Sequence, residues 1–254
     1  MRRLLSMLLT AALNTACLTG AASAVAQTGD DWEFAEDASR NLTIAAIRFD
    51  AGQAIIAQCS AGELKIALQG LPERAGPLHR LQAERADGRT DLQTWRVGVG
   101  RTWLSGAPAR DARFLRVGGV LKLQSDAGQS SPISATFDLP TEHANLDRVL
   151  AACGYALTDD RDALARADAM LAITTSDSGS SVGAPGRAME VSCIVRSGAY
   201  RDCRVDHMMP GQREAGARRE ATRWNGKRVN PADAAANEGR VAYIYIPLLM
   251  VVQG

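Results

Sequence analysis

The sequence predicts an α+β protein in two parts: an N-terminal antiparallel strand-rich domain with one disulfide-stapled helix, and a small C-terminal strand, strand, helix, strand domain. Three observations predict it. Apolar and polar residues alternate through the first part and then change to a helical period after Pro140. A Ser/Gly-rich stretch interrupts the pattern before Pro185. Beyond Cys17, the cysteines fall as Cys59 and Cys153 before that stretch and Cys193 and Cys203 after it.

Residues 1–26 read as a secretory signal peptide. Arg2 and Arg3 give a positive start, residues 4–16 an apolar core, and Ala24-Val25-Ala26 or Ala22-Ser23-Ala24 the small-residue cleavage pattern, with cleavage expected after Ala26. A membrane-spanning helix needs about 20 predominantly apolar residues. This core is shorter, is interrupted by Asn14 and lacks a positive flank after it. The alternatives are an uncleaved anchor and a lipoprotein modified at Cys17, the latter with Asn14 where an apolar residue is wanted.

From residue 27 to 157 the strand-rich domain is expected to hold strands at 42–49, 54–59, 63–68, 94–103, 114–124 and 133–139. Leu64, Ile66 and Leu68 oppose Glu63, Lys65 and Ala67, and Trp95, Val97 and Val99 share a face, which suggests a sheet buried on one side. Then Leu146, Val149, Leu150 and Cys153 fall at i, i+3, i+4 and i+7 before Gly154, a helix with its cysteine turned inward. Residues 158–186 read as a flexible linker, with a short helix over 162–171.

From 187 to 254 the pattern gives strands at 189–195 and 200–206 around the turn Arg196-Ser197-Gly198-Ala199, a charged helix at 212–224 and a final apolar strand at 241–250. Four cysteines in an exported chain read as disulfides, and they permit three pairings. Strands on either side of one turn set Cys193 opposite Cys203. That leaves Cys59 for Cys153, fastening the helix to a strand.

Charge excludes some partners. The 29 Lys and Arg against 28 Asp and Glu, without a long run of one sign, point to neither nucleic acid nor strong membrane affinity after cleavage. No cofactor is expected, and no metal. Gly179-Ser180-Ser181-Val182-Gly183 matches a nucleophile-elbow pattern, but no strand leads into it and no helix follows. His207-Met208-Met209 has soft-metal ligands without a second cluster, and Asp159, Asp160 and Asp162 lack the glycine and glutamate of a calcium loop. His79 and His143 stand alone and are expected at the surface.

The segment Val191-Ser192-Cys193-Ile194-Val195, then Gly198, then Asp202-Cys203-Arg204-Val205, a helix, and Tyr243-Ile244-Tyr245-Ile246-Pro247-Leu248 resembles the TonB C-terminal domain family, in its cysteine-containing variants. The resemblance covers the last quarter of the chain. It implies a periplasmic domain that pairs with a partner by adding a strand to its sheet edge, with the backbone of Val241, Ala242, Tyr243, Ile244, Tyr245 and Ile246 as the edge. The Pro-rich spacer of the energy-transducing members is missing: the linker holds Pro185, and Pro185-Gly186-Arg187 stands where a Tyr-Pro segment is common. The expectation is a periplasmic, non-enzymatic interaction protein with protein partners in the cell envelope, outer-membrane transporters among the candidates. The alternatives are a small exported enzyme or ligand-binding protein with its site in the first domain, around Trp95 and Trp103, and a structural envelope protein whose two domains mediate assembly.

Overall fold

The computed structural model describes residues 31–49, 52–72, 78–98, 101–125, 132–167, 188–208 and 213–247. The expected signal peptide, the Ser181 motif, Met209 and the end of the last strand lie outside them. The first part holds β1 (Glu33–Asp37), β2 (Leu42–Phe49), β3 (Gln53–Ser60), β4 (Glu63–Gln69), β5 (Leu78–Glu84), β6 (Thr90–Val97), β7 (Thr102–Ser105), helix α1 (Pro108–Leu115), β8 (Gly119–Ser125), β9 (Ser134–Leu139) and helix α2 (Ala144–Ala152). The strands form one nine-stranded sheet in the order β1-β2-β3-β4-β7-β6-β5-β8-β9, with every neighbour antiparallel.

Local chemistry explains the turns. Ala61 and Gly62 both adopt positive φ, at 50° and 83°, the twist that matches the β3 and β4 strands they join. The sheet coils until its two ends face each other, and Phe49 of β2 meets Phe137 of β9 with ring centroids 4.9 Å apart. Alternation is cleanest in β9, where Ala135, Phe137 and Leu139 point into the core and the residues between them are exposed. Helix α2 lays Leu146, Val149 and Leu150 on β2 and β3, and the Cys59–Cys153 disulfide fastens its end.

The second part holds β10 (Ala188–Arg196), β11 (Ala199–His207), α3 (Glu214–Trp224), α4 (Pro231–Ala234) and β12 (Val241–Pro247), with sheet order β11-β10-β12. Ser197 and Gly198, at φ 52° and 67°, make the tight turn between β10 and β11. The Cys193–Cys203 disulfide crosses that hairpin. One sheet face carries Met189, Val191, Cys193, Val195, Ala242 and Ile244 against Ala217, Ala221 and Trp224 of α3. The fold is therefore mixed α+β and mostly antiparallel, with both disulfides as expected.

Several expected elements differ. The strand placed at 94–103 is two strands: β6 ends at Val97, β7 begins at Thr102, and the two pair antiparallel. Phe114 and Leu115 belong to α1, whose first residue is Pro108, a position where the missing N–H costs no hydrogen bond. Residues 158–167 of the expected linker are fixed against both parts. Of the span 162–171 expected as a helix, residues 168–171 lie outside the described residues; before them Asp160–Ala163 makes one 3-10 turn capped by Asp159, and Arg166 then runs beside Val241.

Candidate functional site at the junction of the two sheets

Helix α1, the connector 155–167 and the uncovered face of β10 and β12 meet in a buried polar junction. That face carries Glu190, Ser192 and Tyr243, all under a tenth exposed. Arg110 of α1 holds Asp91 with two contacts of 3.1 Å and donates to the Leu164 carbonyl at 2.7 Å, the Arg161 carbonyl at 3.2 Å and the Tyr243 hydroxyl at 3.4 Å. Arg166 spans Asp91 at 2.7 Å and Asp111 at 2.5 Å, and Asp111 also takes the Ser105 hydroxyl. Arg161 donates to the Ser192 carbonyl at 2.5 Å, to the Ser192 hydroxyl and to the Asp202 carbonyl.

Burial works against ionisation of Asp91, but the charges of Arg166 and Arg110 outweigh it and hold its carboxyl below the usual range. Asp111 is more deeply buried, and there burial prevails over Arg166 and raises the carboxyl. Burial likewise opposes the charge of Arg166, and Asp111 and Asp91 more than offset it. These groups clamp the sheets together. They are paired, and that is a structural role.

Two hollows lie between the parts, the smaller of them against the clamp at Tyr243. A cleft of about 800 Å³ lies between the parts, walled by β11 from Cys203 to Met208 and by Glu214, Arg218, Ala221 and Thr222 of α3, and floored by Gly62 and residues 152–154. A smaller cavity of about 280 Å³ lies beside Tyr155, Glu190, Asp206 and Tyr243, with Arg113 and Arg204 at its border. The two share Arg204, Val205 and Asp206.

Burial first, and then the neighbouring Asp206, push the Glu190 carboxyl up to about 8, against the charge of Arg113 and a hydrogen bond from Tyr155. Burial also raises Asp206, partly offset by hydrogen bonds from Ser192 and Arg204. Tyr155 is raised by burial and by Glu190, and its ring stacks on His207 at 4.3 Å. Burial lowers His207, against a hydrogen bond with the Gly62 main chain.

The residues singled out from sequence are dispersed. Trp95 and Trp103 are fully within the core of the large sheet, and His79 is half-buried with its ring 4.9 Å from that of Trp103. His143 is half-exposed at the start of α2, 3.8 Å from Asp147. Met208 packs against the core of the three-stranded part. Asp159 and Asp162 pair with Arg113, and Asp160 with Arg204. Among the described residues, no three His, Cys, Asp or Glu side chains group closely enough to hold a metal ion.

Strand β12 is an edge of its sheet, but the outward N–H and carbonyl of Val241 are taken by Ala165 and Ala167, at 2.9 and 2.8 Å. Tyr243 turns its side chain into the clamp, while Ala242 and Ile244 face α3. Glu190, Asp206 and Tyr155 were not anticipated. The alternation of Met189, Val191 and Cys193 against Glu190 and Ser192 reads as a solvent face, and nothing local reveals that a second sheet covers it.

Among protein-family models, curated proteins and solved structures, none matches this chain. Its two disulfides fit an oxidising compartment. Among the described residues, no helix is long and apolar enough to cross a membrane.

Proposed function

We propose that this chain is a periplasmic, non-enzymatic interaction protein that takes up an extended segment of a cell-envelope partner by strand addition. The observation that carries the reading is the cleft beside β11. The outer edge of that strand is closed at first: Tyr200 donates to the Lys227 carbonyl at 2.9 Å, Gly226 donates to the Tyr200 carbonyl at 2.8 Å, and the Cys203 N–H donates to Asn225 at 3.1 Å. Beyond it, residues 204–208 are half-buried and border about 800 Å³ of open space, with no further strand beside them among the described residues.

An added strand lies about 4.8 Å from its neighbour and takes its affinity from main-chain hydrogen bonds, with side-chain pockets supplying specificity. Val205, Met208 and Ala221 offer apolar contacts, and Glu214, Arg218 and His207 offer polar ones. The strand, strand, helix, strand order supports the likeness to the TonB C-terminal domain family, in which a sheet edge accepts a partner's strand. The site moves from β12 to β11 because the start of the β12 edge is occupied by the chain itself.

Peptides selected from a displayed library for binding to the protein test the reading by hydrogen exchange. Protection of the amides at 204–208 is the expected result. Protection at 243–246 instead would return the site to the β12 edge, and binding without protection of either edge would overturn strand addition.

A further inference from the structure

The small cavity carries an unbalanced charge. Of its bordering cations, Arg113 is committed to Asp159 and Asp162, and Arg204 to Asp159, Asp160 and Asp206. Glu190 is 2 % exposed and forms no ion pair among the described residues; it takes one hydrogen bond, from the neutral Tyr155 hydroxyl at 3.3 Å. Asp206 gives one carboxylate oxygen to Arg204 at 3.0 Å, with Ser192 and the charge of Arg161 also acting on it, and its other oxygen, Oδ2, is buried without a hydrogen-bond partner among the described residues. Arg166 and Arg113 are close enough to act on Glu190 through space, yet both are spent on other carboxylates.

A buried carboxyl without a cation is costly unless it stays protonated or something positive arrives. Here the space for an arrival exists, about 280 Å³, close to the lower limit of about 300 Å³ for pockets that hold small organic ligands. That is far more room than a bare ion needs, and the rings of Tyr155 and Tyr243 border it, surfaces suited to an ammonium group and the methylenes behind it.

We infer that this cavity binds the ammonium group of an alkylamine, with Glu190 and Asp206 as its anionic partners and Tyr155 as a further hydrogen-bonding group. The ammonium comes either from a free small amine or from a lysine side chain of a bound peptide. The site stands apart from strand addition at β11 and does not depend on it.

Calorimetric titration of the purified protein with n-butylamine and with Nα-acetyl-lysinamide tests it, with n-butanol as the neutral control. Because Glu190 is held largely protonated at about pH 7, binding an ammonium there ionises it and releases close to one proton per ligand, and the release disappears at about pH 9. Repeating the titration in buffers of different ionisation enthalpy reads that release directly. Glu190→Gln should weaken binding about tenfold or more and abolish the proton release.

Binding of both amines makes a lysine side chain an admissible source, and binding of butylamine alone restricts the site to free amines. No saturable binding of either amine to the wild-type protein, equal binding of butanol, or binding without proton release at about pH 7 overturns the inference. These outcomes are read on the wild type, so they stand even where a variant fails to fold.

Discussion

Replacing Arg166 with alanine isolates the clamp. Its guanidinium lies 2.7 Å from Asp91 and 2.5 Å from Asp111, and the three side chains are 4 %, 2 % and 0 % exposed. Without it, among the described residues, Asp91 keeps only Arg110, and Asp111 keeps only the Ser105 hydroxyl as a side-chain partner. Removing one member of a buried ion pair costs about 3–5 kcal/mol, because the remaining charge is stranded. For a chain of this length each kcal/mol lowers Tm by about 2–4 °C, so a fall of roughly 6–20 °C is expected in thermal denaturation. The loss should shrink on acidification: the stranded carboxyls have raised pKa values in the folded variant, and protonating them removes the penalty. Adding Asp111→Ala to Arg166→Ala should cost less than the sum of the two single changes. A loss below about 1 kcal/mol that does not vary with pH, the behaviour of an exposed ion pair, would refute the reasoning.

Opening the disulfides should cost unequally. The sequence separations of 94 and 10 give about 4.7 kcal/mol for Cys59→Ser and about 2.7 kcal/mol for Cys193→Ser on chain-entropy grounds, measurable by denaturant unfolding. Gly118→Ala should destabilise more than Gly88→Ala. Both glycines have positive φ, which costs an L-residue about 1–2 kcal/mol, but only at Gly118 would a Cβ lie 2.5 Å from the Pro140 carbonyl oxygen. Glu190→Gln should leave stability unchanged below about pH 4.5 and raise it progressively towards pH 8. The folded wild type holds its proton up to about 8 while the unfolded chain releases it near 4.5, so wild-type stability falls across that window and the glutamine does not titrate. A flat difference between the two proteins from pH 4 to pH 9 would contradict this.

What could be read from the sequence was local. The turn at Ser197-Gly198 fixed one cysteine pair, and the inward stripe of α2 left Cys59 for Cys153. Alternation marked β4, where Leu64, Ile66 and Leu68 take the buried face. The hairpin between β6 and β7 was hidden by the apolar character of Val97, Val99, Trp103 and Leu104, although Gly98 and Gly100 were available as turn signals. Helix α1 shows no one-sided apolar stripe, because it is buried nearly all round with Arg110 and Asp111 among its buried residues, and Pro108 was its best mark. Strand β5 alternates Arg80 and Gln82 with its buried Leu81 and Ala83, a pattern too brief to stand out. The clamp was beyond sequence reading: Arg166 meets residues 55 and 75 positions away, and every charge in it resembles a solvated one until the sheets are docked.

Two of the arginines in the clamp, Arg161 and Arg166, belong to the stretch between the sheets and to neither sheet. This limits how the protein can be divided or recombined. A fragment ending before residue 158 would leave Asp91 and Asp111 without Arg166, and one beginning at 188 would bare Glu190, Ser192 and Tyr243 to water. Transplanting the last quarter onto another host therefore requires the short stretch 158–167 to travel with it, together with carboxylates in the host placed to receive it. The sequence boundary that is easiest to see is the wrong place to cut.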